Sequence, residues 1–195
     1  MKEYYDARAG EYDDWYLGDG LFAERDRPGW EQELRALEHA LGLLPWAHTL
    51  DVACGTGFLT RHLPGEIVGL DQSERMLEIA RERVPEATFV RGDAFALPFA
   101  DGAFERLFSA HFYGHLDPDE RARFLAEEGR VAPELVICDA ALRPDRGREE
   151  RQERILEDGS RWLVYKRFFS AEELAAELGG GEVLFSGDWF VLVRS

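Results

Sequence analysis

The chain has 195 residues, 45% of them hydrophobic, and five Trp, enough for one substantial core and one domain. Its formal net charge of −16 repels phosphate backbones and disfavours DNA or RNA as a partner. No apolar run approaches the ~20 residues of a membrane span, and the start, Met1-Lys2-Glu3-Tyr4-Tyr5-Asp6, has no signal-peptide apolar region, so a cytoplasmic location and no membrane partner are expected.

Residues 3–30 carry Tyr4, Tyr5, Tyr12, Trp15 and Tyr16 with little regular periodicity. So many aromatics must pack on something. Glu31 to Leu44 reads as a helix with Leu34, Leu37, Leu41 and Leu44 on one face, stopped by Pro45. Alternation then begins. Strands are expected at His48–Ala53, Ile67–Asp71, Thr88–Arg91, Arg106–Ala110 and Leu135–Asp139. Between them lie a short helix at Gly57–Leu63, a helix capped by Ser73 that turns Met76, Leu77, Ala80 and Val84 inward, and a helix from Asp117-Pro118-Asp119-Glu120 to Val131. Ser170-Ala171-Glu172-Glu173 opens another helix, which ends at Gly179-Gly180-Gly181. Two last strands, Glu182–Ser186 and Phe190–Arg194, are joined by a short turn and must pair antiparallel. Five αβ repeats and a terminal hairpin predict an α/β fold with a mostly parallel sheet and one antiparallel strand.

Arg143 to Arg154 holds five Arg against four acids and reads as a solvated mixed-charge segment. Cys54 and Cys138 belong to no ligand cluster, so no metal is expected and both read as buried small hydrophobes.

The most informative stretch is Leu50-Asp51-Val52-Ala53-Cys54-Gly55-Thr56-Gly57, an apolar strand running into a tight glycine turn. Asp71 ends the next strand, 16 residues after Gly55, about one βαβ repeat. Glycines let the backbone approach a nucleoside, and the acid accepts from ribose hydroxyls. A dinucleotide fingerprint needs a third small residue, and Phe58-Leu59-Thr60 does not supply it. Asp51 suits a cationic amine and would repel a pyrophosphate. Of the five strand ends, four carry an acid: Asp51, Asp71, Asp93 and Asp139. In open parallel sheets ligands bind beyond those ends.

Leu50 through Gly57, with Ala53 as the small residue, resembles the first motif of the class I S-adenosylmethionine (SAM)-dependent methyltransferases, in particular the small type 11 and type 25 groups. The likeness runs from about Tyr4 to the C-terminus. It implies a Rossmann-like, doubly wound, seven-stranded sheet with helices on both faces, as one domain over 1–195. Residues 1–30 would be an aromatic cap, 31–142 the cofactor-binding core and 143–195 a variable segment with a helix and a C-terminal hairpin. It implies that SAM, with S-adenosylhomocysteine (SAH) as product, binds at this turn. Ala53, Gly55 and Gly57 would line the methionine portion, Asp51 and Thr56 would also bind the cofactor, and Asp71 would take the ribose hydroxyls, flanked by Gln72, Ser73 and Met76 at the ribose and adenine. Gly92-Asp93-Ala94 matches the third motif at the adenine, and Ser109-Ala110 the fourth, beside the sulfonium. Tyr5 and Tyr12 would close over the cofactor as a lid, or pack as ordinary core.

His111-Phe112-Tyr113-Gly114-His115 is the most reactive-looking loop. Either His111 or His115 would serve as general base toward a hydroxyl acceptor, or both are structural, His115 packing under the next helix and His111 bonding to backbone. Tyr165 and Lys166 would face the acceptor or pin their segment down. The expected activity is methyl transfer to a small-molecule acceptor by in-line displacement. A non-catalytic SAM- or SAH-binding module of the same fold is the alternative, and a nucleotide-dependent oxidoreductase is disfavoured by the glycine pattern. These residues leave the acceptor and the oligomeric state open.

Overall fold

The computed structural model describes residues 2–195. Met1, the first residue of the expected cap, lies outside them. The cap is more regular than its sequence suggests. Helix α1 spans Lys2–Arg8 and α2 spans Asp14–Leu17, with 3-10 turns at Ala9–Glu11 and Gly20–Phe22. Helix α3, Trp30–Gly42, buries Trp30, Leu34, Leu37 and Leu41 along one stripe.

Strands β1 (Ala47–Val52), β2 (Gly65–Asp71), β3 (Thr88–Arg91), β4 (Arg106–Ala110) and β5 (Glu134–Ala140) are all parallel. Helix α4 (Glu74–Arg83) follows β2, and α5 (Pro118–Val131) follows β4. After β5 come strands β6 (Glu149–Ile155) and β7 (Arg161–Arg167), then α6 (Ala171–Glu177), β8 (Glu182–Ser186) and β9 (Phe190–Arg194). The sheet runs β3-β2-β1-β4-β5-β9-β8, with β9 alone antiparallel to its neighbours. This is the expected class I sheet, and its order reverses between β1 and β4.

Both faces are covered. The helices α5 and α6 bury Phe124, Val131 and Leu174 with Leu50, Val52 and Leu107 of the sheet. On the other face α3 joins Phe58, Phe108, Val136 and Phe190. The short helix expected at Gly57–Leu63 is a single 3-10 turn, Thr60–His62.

One segment departs from expectation. Residues 149–167 form a separate antiparallel hairpin, β6 with β7, rather than a solvated run. Its inner face carries Val164 and Trp162, which meet Leu156 and Tyr4 of α1 in a third apolar cluster. Opposite charges pair across its outer face, Glu153 with Arg161 and Glu149 with Arg167.

Helix α5 shows how locally the core elements are encoded. The Asp117 carboxylate accepts from Glu120 N–H at 2.9 Å, Glu120 accepts from Asp117 N–H at 2.9 Å, and Pro118 fills the first turn. Asp117→Ala is expected to lower stability by about 1 kcal/mol, read as a shift in the urea midpoint with unchanged slope.

Candidate functional site

The carboxyl ends of β1, β2, β3 and β4 open on one cavity of about 80 Å3. Beneath it the chain leaves β1 through Ala53, Gly55 and Gly57, whose φ values are 59°, 56° and 72°. Ala53 is not glycine, so its left-handed backbone is strained. A second such residue, His111 (φ 54°), stands at the end of the neighbouring β4. The two strands therefore diverge at the point where the sheet order reverses, and the crevice lies between them.

Asp71 organises the turn. Its Oδ2 accepts from Gly55 N–H at 3.0 Å and its Oδ1 from Ser73 N–H at 2.8 Å. Burial raises its pKa against those bonds, which lower it. Lone pairs remain on both oxygens for further donors. A Cβ on Gly55 would sit 3.6 Å from the Tyr12 ring, so the glycine keeps the gap between turn and cap clear.

Asp51 is 2% exposed. Thr60 donates to its Oδ2 at 2.5 Å, while Oδ1 has no partner among the described residues. Burial pushes its pKa up to about 7, helped by the nearby Asp71 charge and opposed by the Thr60 bond. A buried, orphaned carboxylate oxygen calls for a donor, and an ammonium group supplies one.

The cavity wall brings together Tyr5, Tyr12, Ala53, Gly55, Asp71, Gln72, Met76, Gly92, Asp93, Ala94 and Ala110. Leu70, Phe95, Phe112 and His111 complete it. Leu70, Phe95 and Phe112 escape sequence reasoning because apolar residues near strand ends look like core. Asp51 lies one layer below, with Ala53 and Tyr12 in a smaller recess.

Three motif residues stand off the wall. Thr56 donates to Asp13 Oδ1 at 2.6 Å, and its carbonyl accepts from Arg83 at 2.8 Å, so it fastens the cap. Gly57 faces α4, where a Cβ would lie 3.4 Å from Ala80 and Val84. Ser109 donates to the Val52 carbonyl at 2.8 Å and ties β4 to the end of β1. Ser73 likewise caps α4 and donates to Asp6 of the cap at 2.5 Å. Cys138 is buried and Cys54 nearly so, and burial holds both thiols well above their ordinary pKa, so neither is a thiolate.

A second, larger cavity of about 510 Å3 lies between the cap, the β6–β7 hairpin and the end of β5. Tyr5, Tyr12 and His111 belong to both walls. His111 packs edge-on to Trp15 at 4.8 Å, and its Nε2 is buried without a partner among the described residues. Burial lowers its pKa to about 3 against the pull of Asp139. His115 lies on the outer wall only. Its Nδ1 donates to the Tyr165 carbonyl at 2.7 Å, which leaves Nε2 as an acceptor. Burial holds this imidazole neutral too. Lys166 is buried on the same wall and donates to Asp139 at 2.5 Å, where Gly114 N–H also donates at 2.7 Å. Lys166 thus both pins the hairpin and lines the outer cavity, whereas Tyr165 contributes a backbone carbonyl to His115.

Comparison with known proteins fits this geometry. A family model described as a methyltransferase domain matches residues 49–133, from β1 into the turn after α5. A demethylmenaquinone methyltransferase of Thermus thermophilus is 39% identical over 169 residues, 80% of this chain and 66% of that protein. One of Renibacterium salmoninarum is 37% identical over 111 residues, 54% and 46% respectively. The chain spans about half the length, or less, of several curated relatives it matches. Among solved structures, the DhpI-SAM-HEP complex superposes with a TM-score of 0.76 at 25% identity, over 98% of this chain and 94% of that one. The DhpI-SAH complex gives 0.73 at 27% identity, over 98% and 92%. The chain belongs to the SAM-dependent methyltransferases. Among the described residues of this family member, no helix is long and apolar enough to cross a membrane.

Asp51 sets a pH signature for the stability of the chain. Between about pH 4 and 7 the folded state holds the Asp51 proton and the unfolded chain does not, so this residue's contribution to stability falls as pH rises through that window. Below it both states are protonated, and above it neither is. Asp51→Asn is therefore expected to gain stability relative to the natural protein between about pH 4 and 7. Denaturant midpoints across that range check this, and a constant difference would contradict it.

Proposed function

We propose that the inner cavity holds SAM and that a small-molecule acceptor enters from the outer one, making the protein a methyltransferase. The observation that carries the reading is the shared wall of Tyr5, Tyr12 and His111 between two cavities that adjoin just beyond the carboxyl end of β4. A module that only retained the cofactor would have no use for the second cavity.

The residues present fit the cofactor. Asp71 would receive the ribose hydroxyls while its Gly55 and Ser73 bonds hold the carboxylate in place. Asp51, with its unpartnered Oδ1, would receive the amino group. Asp93, already turned by accepting from Phe95 N–H at 2.9 Å, and Ala94 would meet the adenine between Met76 and Phe95. Ala53 and Gly55 would line the methionine portion, with Gln72 and Gly92 beside the ribose and adenine and Ala110 near the sulfonium. When bound, SAM supplies an electrophilic methyl group on a sulfonium, which leaves as a thioether.

The protein's own part is positioning and exclusion of water. Tyr5 and Tyr12 stand 6.4 Å apart, ring centre to ring centre, over the mouth of the inner cavity. His111 Nε2 would orient an acceptor at the shared wall. Its low pKa makes it a poor store for a proton, so orientation is its stronger role. His115, from the outer wall, would meet the acceptor's far side.

Asp71→Ala should weaken SAH binding by about tenfold or more, since bonds to a charged group contribute about 1.5–3 kcal/mol each. Calorimetry showing unchanged affinity would refute the assignment.

The inner cavity, at about 80 Å3, is far smaller than the roughly 300–1,000 Å3 typical of ligand sites. Loading it requires the cap to shift, which makes residues 3–29 a lid. Hydrogen exchange with and without SAH tests this. Protection over that segment should change on binding, and equal protection would make it ordinary structure.

A further inference from the structure

The outer cavity reverses the character of the molecule. The chain carries 39 acidic residues against 23 Lys and Arg, yet seven basic side chains line this cavity against three acidic ones. Three of the seven are neutralised: Lys166 by Asp139, Arg143 by Asp145 and Arg146 by Glu150. Arg8, Arg25, Arg27 and Arg154 have no carboxylate within ion-pair distance among the described residues.

Aromatic rings hold three of these four in place instead. The Arg25 guanidinium lies 4.4 Å from the Phe22 ring centre, Arg27 lies 4.2 Å from Trp30 and Arg8 lies 4.8 Å from Tyr12. A π-face fixes a guanidinium without neutralising it and leaves N–H edges free. Neutral oxygens use only part of the donor set. Arg8 donates to Tyr4 Oη at 2.9 Å, Arg27 to the Trp15 carbonyl at 2.6 Å and Arg154 to Gln152. Arg154 Nε is buried with no partner at all among the described residues.

We infer that the outer cavity binds an oxyanion, so that the acceptor is a small molecule carrying a phosphate-type or carboxylate group. The inference rests on the reading of this cavity as the acceptor site. Planar guanidinium groups recognise both oxyanions through paired N–H donors. Burial, and then the other guanidinium groups nearby, lower the pKa of Arg25 and Arg27, and an anion among them relieves that repulsion. Trp15, Phe168 and Trp189 on the same wall suit an apolar body behind the anionic head.

The test is calorimetric titration of the full chain, alone and saturated with SAH, with phenyl phosphate, benzoate, inorganic phosphate and the neutral benzyl alcohol. The anions are expected to bind both alone and with SAH present, and benzyl alcohol about tenfold more weakly or not at all. Binding of phenyl phosphate without benzoate, or the reverse, selects the group within the class and supports the inference. Arg154→Gln and the exposed Arg25→Gln should each weaken anion binding by about tenfold while leaving SAH affinity unchanged. Four outcomes overturn the inference: no anion binding at 20 mM, on the order of the weakest site of interest; equal binding of the neutral probe; both variants binding as the natural protein does; or displacement of the anion by SAH, which would give these cations to the cofactor's own carboxylate. Failure of SAH to bind the natural protein would instead refute the cofactor reading, and the titration without SAH would still report on the cavity.

Discussion

Everything at the site depends on how two adjacent parallel strands leave the sheet. β1 and β4 lie side by side, and their continuations separate to opposite sides. Both turn through a left-handed residue that has a Cβ, Ala53 and His111. Such residues cost about 1–3 kcal/mol each and persist only where surroundings over-determine them. Those surroundings are visible. Ser109 donates to the Val52 carbonyl, Cys54 N–H to the Leu70 carbonyl at 3.1 Å and His111 N–H to the Cys138 carbonyl at 2.8 Å. The bonds tie β1, β2, β4 and β5 together at one end of the sheet. The glycine turn and the His111 imidazole take their directions from that knot.

The cap is attached to the same framework by side chains that already have local duties. Asp13 receives the Thr56 hydroxyl and pairs with Arg83, which also donates to the Thr56 carbonyl. Asp6 receives the Ser73 hydroxyl at the start of α4. Tyr16 stacks on Phe58 at 4.1 Å, immediately after the turn. Cap, glycine turn and helix start are thus one mechanical unit. A movement that opens the cap must loosen groups next to Gly55 and Asp71, so access and cofactor grip are physically linked.

The parts legible in the sequence are those set by local rules. The strands Thr88–Arg91, Arg106–Ala110, Glu182–Ser186 and Phe190–Arg194, the Asp117 and Ser170 caps and the Asp71 position all follow from periodicity and capping chemistry. What was not legible is long-range. Thr56, Gly57 and Ser109 belong to the right motifs, but only the packing of Asp13, α4 and Val52 reveals where they point. The first strand of the hairpin at 149–167 hides because its inward-facing residues, Glu150, Gln152 and Arg154, are as polar as its outward-facing ones. The unpaired arginines come from α1, from the loop before α3 and from β6, and nothing in any one segment announces that they converge.

The basic recess in an acidic body also shapes how a charged molecule arrives. The net charge of −16 acts at long range, out to about a Debye length of 8 Å at physiological ionic strength, whereas the arginine cluster is felt only at the mouth. An approaching anion crosses a repulsive shell before it meets an attractive centre. Added electrolyte thins that shell and also weakens the grip inside, so entry and escape both quicken. An anion bound there would therefore exchange slowly in dilute solution and faster in a salted one.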